Sequence, residues 1–137
     1  MRPRLLSVVV VAFGALIAMR SVPASAHHSF AAEFDGSKPI TLKGVVTQID
    51  WTNPHVWFYV NVKDDEGKSV RWACEMGAPH QLQGRGWLRD SMKIGDVVTV
   101  EGSLARDGTK RANARTVTTA DGRRLGAASS GPPSSGQ

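Results

Sequence analysis

This 137-residue sequence predicts a small all-β fold: a five-stranded OB-like β-barrel with one short helix between strands 3 and 4. Three observations predict it. Apolar residues alternate with a period of two on both sides of a tight loop at 64–68. Gly44 sits where the first strand changes parity, as a β-bulge does. A proline-led, glycine-limited stretch then follows the third strand, at the place of the OB-fold helix. A small open β-sandwich is the alternative, because alternation alone does not close a sheet.

Taken in order, residues 27–39 form an arm whose only large apolar side chains are Phe30 and Phe34. The first strand starts at Ile40, with Leu42 on the same face. After Gly44 its apolar set continues as Val45, Ile49 and Trp51 on the other parity, giving a long, bent strand. Asn53-Pro54 marks a turn. Val56, Phe58, Val60 and Val62 then alternate as strand two, and Val70, Trp72, Cys74 and Met76 as strand three. A three-residue loop, Asp65-Glu66-Gly67, with Gly67 left-handed, pairs Asp64 with Lys68. It sets Val62 against Val70, Val60 against Trp72, Phe58 against Cys74 and Val56 against Met76. A two- or four-residue loop would place valines opposite Arg71 and Glu75, so pattern and turn chemistry agree on one register.

Pro79 opens a helix that Gly84 and Gly86 keep to about two turns. Lys93 to Asp96 turns into a fourth strand, Val97 to Gly102, with Val98 and Val100 inward; Asp107-Gly108 turns into a fifth, Ala112 to Thr119. Asp121-Gly122 is a last turn before Leu125, which ends a domain running from 40 to 125. The Gly-, Ala-, Ser- and Pro-rich stretch 126–137 is expected to be disordered.

The first 26 residues read as a secretory signal. Arg2 and Arg4 precede an apolar run from Leu5 to Met19, and Ala24-Ser25-Ala26 supplies the small residues of a cleavage site. The expected location is periplasmic or secreted. Removing the signal takes Arg2, Arg4 and Arg20 from the 17 basic residues, leaving 14 against 12 acidic ones. The mature chain therefore lacks the dense basic face of a nucleic-acid binder, and nucleic acid is not expected as a partner. No later stretch is long and apolar enough to span a bilayer, and Cys74, the only cysteine, forms no intramolecular disulfide.

The segments His27-His28-Ser29-Phe30, Trp51-Thr52-Asn53-Pro54-His55-Val56-Trp57, Gly77-Ala78-Pro79 and Gly86-Trp87, with the run from Gly95 to Leu125, resemble a family of small exported bacterial proteins known only as domain of unknown function 6152. The resemblance implies export and a small β-barrel. It implies no activity, cofactor or catalytic residue.

Candidate site residues fall into two groups. Trp57 and Tyr59 share the face opposite the valines, near Arg71 and Glu75, and form a candidate ligand-binding patch suited to stacking. Its expected partner is a periplasmic protein or a small ligand or glycan. Cleavage after Ala26 would put His27 at the N-terminus with His28 behind it, and an α-amine beside an imidazole suits copper(II). His55 and His80 lie at one end of the hairpin, and an extended arm of about 40 Å would let His27 reach them. The metal candidates are thus His27, His28, His55 and His80, with copper as the candidate cofactor. Cys74 and Met76 fall on the core face, and the acidic loop 64–66 lacks calcium-loop spacing. No Ser-His-Asp order, carboxylate pair or phosphate loop is present, so a non-catalytic binding or accessory module is the expected role; copper oxidase chemistry would require an open coordination position as well.

Overall fold

The computed structural model describes residues 30–129. In chain order these form α1 (Phe30–Glu33), β1 (Phe34–Asp50), β2 (Trp57–Lys63), β3 (Ser69–Glu75), α2 (Pro79–Gly84), β4 (Val97–Ala105), β5 (Arg111–Thr118) and β6 (Arg124–Gly126). One six-stranded sheet runs β3-β2-β1-β4-β5-β6, and β3 also pairs with β5. That last contact is parallel, Ala73 opposite Arg111 and Glu75 opposite Asn113, and it makes the pairings of β1, β2, β3, β5 and β4 a ring. The fold is all-β as expected, with a sixth strand that the five-strand reading lacked.

The β2–β3 hairpin has the register its apolar pattern dictates: Val62 faces Val70, Val60 faces Trp72 and Phe58 faces Cys74. Val56 and Met76 extend it through a Met76 N–H to Val56 C=O bond of 2.8 Å. Gly67 has φ 78°, the left-handed value its loop position requires. Val56, Phe58, Val60, Trp72, Cys74 and Met76 enter one core with Leu42, Val46, Val98, Val100 and Val117. Leu82 of α2 and Trp87 and Met92 of the loop beyond it join the same core. α2 begins at Pro79 as expected, with the Gln81 side chain accepting from the Ala78 N–H at 3.0 Å.

Strand one departs from expectation at both ends. Its parity changes at Thr47, which the β1–β2 register skips, so Val46 is buried while Val45 stays 41 % exposed. Gly44 serves another purpose: a Cβ there would lie 2.4 Å from the Asn61 carbonyl oxygen, so the glycine permits close strand approach. Upstream, the residues expected as an irregular arm form α1 and the start of β1. Phe30 stacks on Phe34 at 5.9 Å, and Arg106 holds α1 by donating from Nε to the Ala31 carbonyl at 2.7 Å. At the other end β6 pairs with β5, Ala127 is fully buried, and the Trp87 indole donates to the Gly126 carbonyl at 2.8 Å. Residues 126–129, placed in the tail by composition, therefore belong to the packed domain; the expected signal, the first residues of the arm and residues 130–137 lie outside the described residues.

Candidate functional site

Alternation on β2 and β3 sends every second side chain away from the core. On that outer face Trp57 pairs with Glu75 and Tyr59 with Ala73, and both rings are half-buried. The Arg71 guanidinium lies 4.5 Å from the centre of the Tyr59 ring. The same guanidinium donates to Gln48 Oε1 at 2.7 Å, and the Gln48 amide nitrogen donates to both Asp50 oxygens at 2.9 and 3.0 Å. Asp50, Gln48, Arg71 and Tyr59 thus form a relay across three strands, with the cation held over the ring. Further along this face a cleft of about 440 Å³ is lined by Lys43, Val45, Thr47, Asn61, Lys63 and Val97, among others.

At the other end of the face, Glu75 is not an exposed member of the patch. It is buried, and its Oε1 lies 2.7 Å from Nδ1 of His55, whose side chain remains 35 % exposed. Burial pushes the Glu75 carboxyl above its ordinary range; His55 and Arg111 pull it back, while the charge of Glu33 on α1 pushes it further up. As a carboxylate Glu75 only accepts, so Nδ1 carries the proton of this contact and Nε2 is left on the side of the ring away from it. No other described residue bonds this ring. The contact orients an imidazole at the rim of the Trp57–Tyr59–Arg71 face.

His80 lies exposed on α2, and His27 and His28 lie outside the described residues. Among the described residues no three His, Cys, Asp or Glu side chains cluster as a metal site. Cys74 is buried and desolvation pushes its thiol up to about 12, in keeping with a core role. Sequence reasoning missed Gln48, Asp50, Glu33 and Arg111. Gln48 and Asp50 could have been found from their parity, had the bulge been placed at Thr47; Glu33 and Arg111 reach Glu75 only through long-range packing.

A model of one protein family matches residues 15–114. The chain belongs to DUF6152, a family of unknown function. No curated protein matches this DUF6152 member. Among solved structures it is similar to the mitochondrial single-stranded DNA binding protein Rim1 of S. cerevisiae, with 11 % identity, a TM-score of 0.48, and coverage of 60 % of this chain and 92 % of that one. The exclusion of nucleic acid drawn from net charge does not stand, because a count of charges does not show where they sit.

Proposed function

We propose that this DUF6152 protein is an exported, non-catalytic OB-like binding module, with β1, β2, β3, β5 and β4 as its barrel. Its recognition surface is the outer face of β2 and β3. The observation that carries the reading is the 2.7 Å contact between His55 and the buried Glu75, beside an arginine already stacked on Tyr59. A buried carboxylate on the solvent side of a sheet adds nothing to an apolar core, whereas it gives the histidine beside it a fixed direction. Trp57 and Tyr59 supply flat apolar area, Arg71 supplies N–H donors, and His55 supplies a directed imidazole nitrogen. The test is affinity capture from an extract of the producing cell, with a single-stranded oligonucleotide as an added arm. A ligand retained by wild type and Lys93→Ala but lost from Trp57→Ala and Arg71→Ala supports the reading. Equal retention by all four proteins overturns it.

The same contact favours a second reading, a periplasmic copper-binding protein. Carboxylate-to-imidazole hydrogen bonds orient histidine ligands in metal sites and raise their basicity. His55 has that support, and processing after Ala26 would add the α-amine and ring of His27, with His28 and His80 as further candidates. Copper(II) should bind more weakly below about pH 6, where protons compete for amine and imidazole nitrogens. Protein beginning at His27 should bind copper(II) more tightly than the same protein with one residue added ahead of it, and His55→Ala should change the spectrum of the bound ion. Identical titrations for all three proteins would remove this reading while leaving the first intact.

A further inference from the structure

A different part of the molecule carries a second site. Residues 36–38 of β1 have no β4 partner: Asp35 faces Leu104 and Pro39 already faces Ser103, so the strand loops out there and Lys38 forms one wall. The β4–β5 turn, Arg106 to Lys110, forms the facing wall. It is tied to β3 by the Ala73 N–H, which donates to the Lys110 carbonyl at 3.0 Å. Between them lies a cleft of about 400 Å³, with Ile40, Trp72 and Leu104 supplying its apolar surface and Lys38, Arg106 and Lys110 its cations. No residue of α1 or α2 lines it.

The electrostatics of this cleft are one-sided. Its two nearby carboxylates are already occupied. Asp35 accepts from the Ser37 amide and hydroxyl at 3.0 and 2.7 Å, with Arg106 at 3.6 Å. Asp107 accepts from the Thr109 amide and hydroxyl at 3.0 and 2.6 Å and from Arg111 at 3.4 Å. Lys38 and Lys110 form no ion pair with any described residue. Lys110 instead sits 5.1 Å from the centre of the Trp72 ring, which keeps its charge at the cleft and over an aromatic face. Apolar surface flanked by unpaired ammonium groups is complementary to a molecule with an apolar body and an anionic head. The volume suits a small organic ligand, for which sites run from about 300 to 1,000 Å³.

We infer that this cleft binds an amphiphilic organic anion: a ring or branched chain lies on Ile40, Trp72 and Leu104, and a carboxylate, sulfonate or phosphate group pairs with Lys38 and Lys110. The site is separate from the His55–Glu75 face and does not depend on it. It is tested by NMR titration of the mature chain with 2-naphthoate, read at the Trp72 indole N–H and the amides of Leu104, Ala105 and Gly108. Saturable shifts there are expected. Lys38→Gln with Lys110→Gln should weaken binding about tenfold or more, as should replacing the probe by uncharged 2-naphthylmethanol, because each removes a charge-assisted contact. Lys93→Gln, outside the cleft, should change nothing. Shifts mapping elsewhere, equal affinity for the neutral probe, or the same weakening from Lys93→Gln would overturn the inference.

Discussion

The two faces of the β2–β3 hairpin are built from alternating residues of the same strands, yet they are held in place by different forces. The inner face, from Val56 and Phe58 to Cys74 and Met76, is buried and apolar, and each contact there is interchangeable with any other that fills the space. The outer face, His55, Trp57, Tyr59, Arg71 and Glu75, is half-buried on average and held by directed contacts: a guanidinium on a ring, an amide between two charges, an imidazole on a carboxylate. Shape decides the first set and direction the second. One period-two pattern thus separates what stabilises the domain from what is available to a ligand.

Substitutions on each face sharpen that contrast. Phe58→Ala should be the largest, costing about 3–5 kcal/mol in urea denaturation because it opens a cavity in a fully buried site. His55→Ala should cost about 1–3 kcal/mol, because it leaves the buried Glu75 carboxylate without its nearest partner. Adding Glu75→Gln should recover part of that loss, and a double-mutant cycle showing no coupling would mean the pair orients nothing. Trp57→Ala should cost about 1 kcal/mol while removing binding; a loss as large as that of Phe58→Ala would make the outer face a second core.

The smallest effect lies outside both faces and sets their baseline. The Asp121 carboxyl is held down to about 2 by hydrogen bonds, first from the Thr119 hydroxyl and then from Arg123. A depressed value contributes stability above the ordinary carboxyl range near 3.8, and that contribution is lost as pH falls toward 2. Asp121→Asn should therefore flatten the acid limb of the stability profile by lowering stability slightly at pH 7 while leaving it almost unchanged near pH 2.

Much of this was legible in the chain, for physical reasons that differ by region. The hairpin register could be read because only one loop length kept charges off the valines, and Pro79 and Gly84 bound α2 through local backbone chemistry. The bulge was misplaced because Gly44-Val45-Val46 offers an apolar residue to either face; what decides is the Asn61 carbonyl, which leaves no room for a Cβ at Gly44. α1 and buried Phe34 were missed because they depend on Arg106 and Arg111, far along the chain. β6 was missed because three residues carry no periodicity. The outer aromatics were placed correctly, but the burial of Glu75 was not, since it depends on that same distant packing.

The parallel contact between β3 and β5 has a consequence for how the chain must assemble. Ala73 and Glu75 wait for partners at Arg111 and Asn113, across the whole of α2 and β4. Until those partners arrive, β3 is an unpaired edge next to a hairpin rich in valine and tryptophan, a template for pairing with another chain. The closing step also spans a long stretch of chain, and contacts so far apart in sequence slow folding. A polypeptide ending before Arg111 would carry the whole apolar hairpin with nothing to close it. Its expected fate is association through that edge, visible as concentration-dependent aggregation that the complete chain does not show.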